Sequence, residues 1–184
     1  MSPNGTGIAS VNTVITGRAA TLLTTDGGQS WGSRALPLSH VSMYDQISES
    51  PPVYQSAGSY WLWLSLFNNH TDKQRWLFEH TTNGGAQWTS IAWHQSIPQP
   101  GTLGGVYLWP LGQRVLLLVA DSHGTEIWRW TSDASWQQVS HLPVEKIESA
   151  SFLPNGSGWI IGDTGNYQTT NGGVTWEAFS PQIN

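Results

Sequence analysis

The sequence contains no cysteine, which excludes disulfides, thiolate nucleophiles and cysteine-ligated zinc. Charge is also scarce: Asp, Glu, Lys and Arg make up 10% of 184 residues, against roughly a quarter in ordinary soluble domains. Seven Lys plus Arg and a net charge of −5 leave no clustered cations for a phosphate backbone, so no nucleic-acid partner is expected. The same shortage argues against a polybasic membrane contact. "RVLLLVADS" is the longest apolar candidate, far short of the roughly 18 residues a spanning helix needs, so no membrane insertion is expected. The opening "MSPNGTGIAS" lacks the cationic start and apolar run of a signal peptide. The setting expected is nonetheless extracytoplasmic, with this chain read as a piece of a longer exported parent. Helix signals are missing as well, since no capping residue precedes a stripe of period 3.6.

What the sequence does hold is tryptophan, glycine and repetition. It has 12 Trp and 20 Gly, and 38% of its residues are hydrophobic, enough to fill a core with large flat side chains. "TTDGGQSW" at 24–31 recurs as "TTNGGAQW" at 81–88 and "TTNGGVTW" at 169–176, with a degenerate copy, "WTSDASW", at 130–136. The tryptophans that close these phrases stand 57, 48 and 40 residues apart, about the length of one propeller blade. A second landmark repeats with them: "MSPNGTGIAS" at 1–10 matches "FLPNGSGWII" at 152–161, and "LWPLGQRVLL" at 108–117 fits the same frame. Between landmarks the pattern is strand. "SYWLWLSLF", "RVLLLVA" and "GWIIGD" are aromatic or β-branched runs, and "RWLFEHT", "EIWRWT" and "NYQTT" alternate as more exposed strands would. Each unit then reads as strand A, Pro-Gly turn, strand B, loop, strand C, the Thr-Gly box, strand D. The expected fold is an all-β propeller of about four four-stranded blades, one domain over 1–184, with units near 1–37, 38–97, 98–142 and 143–184. Met1 aligns with Phe152, so the first unit lacks most of its strand A. This suggests a segment of a larger ring or self-association through an open blade edge.

In the box, Asp or Asn can accept backbone N–H bonds across the turn, the threonine hydroxyl can do the same, and glycine supplies positive φ. The tryptophan can then fold back over the hairpin. Thr24, Asp26, Gly28 and Trp31, then Thr81, Asn83, Gly85 and Trp88, then Thr169, Asn171, Gly173 and Trp176 hold this pattern, with Asp133 and Trp136 in the degenerate copy. The pattern resembles the Asp-box (BNR-repeat) β-propeller family, found in sialidases, xyloglucan-type glycoside hydrolases, sortilin-like receptors and photosystem II assembly factors. "GWIIGDTGNYQTTNGGVTW" is most similar to the assembly-factor type, with the sortilin-like propellers next. The resemblance implies that the boxes are frame at the outer edge of each blade, away from the ligand face.

The expected working surface is therefore the opposite face, made by the B–C and D–A loops. There the strand map collects Tyr44, Asp45, His70, His94, Asp121, His123, His141 and Asp163, groups able to titrate and to hydrogen-bond. Asp121 and His123 with His70 or His94 could ligate zinc, but no pair has a recognised ligand spacing, so neither metal nor cofactor is expected. Glu49, Asp45, Asp121 and Asp163 are the carboxylates to test for glycosidase chemistry. None of the five arginines precedes Ile-Pro, the element the resemblance would require of a sialidase. Trp61, Trp63, Trp109 and Trp128 could stack on sugars, although lightly charged strands favour them as core. The function expected is non-enzymatic binding of a protein or peptide, with glycan binding or hydrolysis as the alternative.

Overall fold

The computed structural model describes residues 5–11, 19–38, 45–93, 103–130 and 135–180. It is all-β and divides into two compact units, Met1–Ile97 and Pro98–Asn184. The first unit holds β1 (Gly7–Val11), β2 (Ala20–Thr24), β3 (Gly32–Ala35), β4 (Asp45–Glu49), β5 (Val53–Ser56), β6 (Ser59–Asn68), β7 (Lys73–Thr81) and β8 (Thr89–Ala92). The second holds β9 (Leu103–Leu111), β10 (Arg114–Asp121), β11 (Gly124–Trp130), β12 (Trp136–Leu142), β13 (Ile147–Phe152), β14 (Gly158–Gly162), β15 (Asn166–Thr169) and β16 (Glu177–Phe179). Every sheet is an antiparallel meander of sequence neighbours: β1-β2-β3, then β4-β6-β7-β8 with β5 beside β6, then β9 to β12, then β13 to β16. Among the described residues no helix is long and apolar enough to cross a membrane.

The first sheet has three described strands, with β1 in the register expected for a strand B and β2 beside it. The second has five because its strand A is broken. β4 pairs with the far half of β6 and β5 with the near half. Pro51 and Pro52 fill the break, where two missing N–H donors would interrupt any ladder. Ser50 bridges it, its N–H donating to Trp63 O at 2.9 Å and its Oγ accepting from Trp63 N at 2.9 Å.

The repeated phrase forms the same turn three times. Thr24, Thr81 and Thr169 are buried, and each hydroxyl donates to the Asp or Asn two residues on, at 2.8, 3.0 and 3.0 Å. Each hydroxyl also accepts from the second glycine's N–H, at 2.9, 3.0 and 3.1 Å. The Asp or Asn Oδ1 in turn accepts from the N–H of Ser30, Gln87 or Thr175, at 2.9, 2.9 and 3.0 Å. At Asp26 the Ser30 hydroxyl, the Ser30 N–H and the Thr24 hydroxyl hold the carboxyl well below its usual range. Trp31 and Trp176 fold back to donate Nε1 to the glycine carbonyls of Gly28 and Gly173, at 3.1 and 3.0 Å. Trp88 instead packs into the core. In the degenerate copy Asp133 lies outside the described residues, and Trp136 sits directly across from Trp130, their rings 5.3 Å apart.

The two sequence landmarks are bonded to each other. The first glycine of each box donates its N–H to the A–B turn glycine: Gly27 to Gly5, Gly84 to Gly58 and Gly172 to Gly156, all at 2.8 Å. Those turn glycines sit at φ +80°, +77° and +90°, where a side chain is strained. Gly58 does this without the expected Pro-x-Gly, so its turn was not marked in the sequence. Removing the threonine hydroxyl should orphan buried donors. Thr169→Val is therefore expected to destabilise by ~1–3 kcal/mol in urea denaturation, whereas Asn171→Asp, which restores the first copy's chemistry, should stay near wild type.

The cores lie between consecutive sheets within each unit. In the first, Tyr60, Leu62, Leu64 and Trp88 pack with Ala19, Leu36 and Ile8. In the second, Leu116, Leu118, Ala120 and Ile127 meet Ile147, Phe152 and Ile160. β7 departs from the exposed strand its alternation suggested. Trp76 and Phe78 are buried on one face, and Glu79 and Thr81 are buried on the other. Glu79 pairs with Leu62 and Thr81 with Tyr60, on the face that packs against Leu36 and Ile8 of the first sheet, so these polar positions are buried with the core.

Candidate functional site

On the loop side of the second unit, three short connections are tied into one platform. Asp121 and Gly124 close the β10–β11 turn; Asp121 Oδ1 accepts the His123 N–H at 2.7 Å and lies 3.5 Å from His123 Nδ1. His141, on β12, reaches back so that its Nε2 lies 3.1 Å from His123 O. The link from β12 to β13 is held from both sides. Thr125 donates its hydroxyl to Val144 O at 2.6 Å, and Thr164 donates to Pro143 O. Asp163 accepts the Lys146 N–H at 3.2 Å through Oδ1 and returns its own N–H to Lys146 O at 3.2 Å. His123, with 87% of its side chain exposed, stands on this platform, which also carries the exposed His141, Glu145 and Asp163.

Four of the eight expected face residues are thus brought to one bonded surface: Asp121, His123, His141 and Asp163. His70 belongs to the first unit, in the turn between β6 and β7, where its N–H and that of Thr71 each donate to Asn68 Oδ1 at 3.0 Å. Asp45 opens β4, while Tyr44 and His94 lie outside the described residues. No group of three or more His, Asp or Glu among the described residues is placed to hold a metal ion.

Two candidates for sugar chemistry are placed elsewhere. Both oxygens of Glu49 are shielded without a partner, and burial raises its carboxyl to about 7. The tryptophans considered for stacking are engaged in packing. Trp61 stacks on His80 at 4.2 Å, Trp63 leans on Trp76 at 5.8 Å and Trp109 on Phe152 at 5.6 Å, and Trp128 is buried. The exposed indoles are those of Trp31 and Trp159, at 40% and 41%.

No protein-family model matches this chain, and no curated protein sequence matches it. Among solved structures it is similar to Zg3597, a family 117 glycoside hydrolase from the marine bacterium Zobellia galactanivorans. The match has TM-score 0.54 and 13% identity and covers 89% of this chain and 55% of that one. A second match, the GH74 enzyme of Niastella koreensis, has TM-score 0.30 and 14% identity over 87% of this chain and 34% of that one. The first likeness joins the meander sheets above to a propeller architecture. The fold is a β-propeller. This chain spans about half the length of Zg3597 (55%).

Within the second unit, the Gly172–Gly156 bond and the repeated turn lie at one end of the strands, and the His123 platform lies at the other. The end with the turns also carries a cleft. This cleft of about 360 Å³ opens between the third and fourth sheets, lined by Arg114 and Arg129 from one side and by Asn155, Gly156 and Asn171 from the other. The usable signal was the register that sets the two arginines side by side, visible only once β10 and β11 are paired.

Proposed function

We propose that this chain is a non-hydrolytic Asp-box propeller module, of the assembly-factor type, that binds a protein or peptide through its loop face. The observation that carries the reading is the platform of Asp121, His123, His141 and Asp163, whose turns are tied to one another before any partner arrives. A surface fixed in advance loses little conformational entropy on binding. Its imidazole and carboxylate groups can each form charge-assisted hydrogen bonds with a peptide. The three box turns support the family reading, and their buried threonines mark them as frame. The glycan alternative draws support from the similarity to Zg3597. The described cleft, however, is lined by arginine and amide side chains, whereas glycoside hydrolysis calls for two facing carboxylates.

The test is to probe the labelled protein on peptide and glycan arrays side by side. Peptide signals are expected, weakened roughly tenfold or more in a His123→Ala/His141→Ala double variant. Signals confined to glycans, unchanged in that variant, would transfer the function to the alternative.

A further inference from the structure

We infer that the cleft at the turn-bearing end of the third and fourth sheets binds a small molecule carrying a carboxylate or sulfate ester, gripped by Arg114 and Arg129. The site is independent of the loop face, because Arg114 begins β10 and Asp121 ends it. Arg129 stands directly across from Leu116, and Arg114 precedes Leu116 by two residues, so all three side chains share one face of the sheet. On that face Leu116, Leu118 and Ile127 form the core against Phe152 and Ile160. The arginines continue the same surface past the edge of the core.

Among the described residues no carboxylate lies within ion-pair distance of either arginine. Arg129 Nη2 is shielded from solvent without a hydrogen-bond partner, and burial and the neighbouring Arg114 charge both lower its pKa. Two cations side by side repel each other, and the partly buried Arg129 also gives up hydration, unless an anion joins them.

The rest of the lining defines the ligand. Asn155 Oδ1 is held by the Ser157 N–H at 2.9 Å, which leaves its NH2 group as a further donor. Leu111 and Pro154 supply an apolar wall. A set of donors led by two guanidinium forks selects an oxyanion, and about 360 Å³ suits a small solute rather than a chain.

The experiment titrates the full chain calorimetrically with D-glucuronate, with glucose 6-sulfate and with uncharged glucose, using wild type, Arg114→Gln and Arg129→Gln. Saturable binding of one or both acids is expected, with none for glucose, and affinity should fall as NaCl is added. The acid that responds names the group recognised. Each substitution should weaken binding roughly tenfold or more, while the thermal midpoint of the ligand-free protein stays level or rises as like charges are separated. Equal binding of glucose, undiminished affinity in both variants, or no binding of either acid at about 10 mM would overturn the proposal. So would a lowered thermal midpoint in the ligand-free variants, which would make the arginines structural.

Discussion

Replacing Gly124 by alanine should cost the protein ~3–5 kcal/mol, one of the largest losses from adding a single methyl group. Gly124 opens β11 at φ +123°, where L side chains are strained. A Cβ there would stand 2.3 Å from the backbone oxygen of Leu142 and 2.7 Å from His141 Nε2. The carbonyl cannot yield without moving β12, since Leu142 pairs with Thr125 and is buried. The imidazole can swing away, but that would break the platform at its centre. Gly27→Ala is the control: its φ is +75° and nothing lies within 4 Å of the added carbon, so only the backbone penalty of ~1–2 kcal/mol remains. Thermal denaturation should separate the two, with a midpoint drop on the order of 10 °C for Gly124→Ala and a few degrees for Gly27→Ala. Equal drops would mean that crowding against β12 contributes nothing.

The second large effect is a dependence of stability on pH, set by Glu79. Its side chain is wholly buried in β7. Oε1 accepts the Ser90 hydroxyl at 2.5 Å, and Oε2 has no partner. Burial raises the carboxyl from 4.5 to about 7, only partly opposed by the Ser90 bond. Below pH 4.5 the group is neutral whether the chain is folded or not, and its contribution is fully present. Between 4.5 and about 7 the unfolded chain ionises while the folded one does not, so stability is lost as pH rises through that window. The loss amounts to ~3 kcal/mol, and Glu49, also raised by burial, acts in the same direction. Unfolding free energies measured in urea at pH 4.5, 6 and 8 should therefore decline in wild type. Glu79→Gln, neutral at every pH, should flatten most of that decline and be the more stable protein at pH 8. Parallel curves for the two would remove Glu79 as the cause.

These features differ in how far the sequence foretells them. The strands of 59–68, 114–121 and 158–162 are legible because apolar runs of that length, bounded by turn residues, have few other conformations open to them. The box turns are legible because one short phrase carries its whole hydrogen-bond pattern, from Thr169 to Asn171 to Thr175. Glu79 is not, because its alternation with Phe78 and His80 looks the same whether one or both faces of a strand are covered. Nor is the arginine cleft, since Arg114 and Arg129 meet only through the β10–β11 register. The His123 platform lies between these cases. Its residues can be placed on loops from the strand order, but the bonds from Thr125 and Thr164 to the 143–146 link depend on how two sheets stack.

The bond from each box glycine to the glycine of the preceding turn bears on how such a molecule comes into being. Each sheet is a meander, and in three of them this bond joins two points of that same stretch. A nascent chain leaving the ribosome can thus finish and close one sheet before the residues of the next are synthesised. Built from self-sealing modules of this kind, a gene can gain or lose whole sheets by duplication or deletion while the ones that remain keep their own fastening.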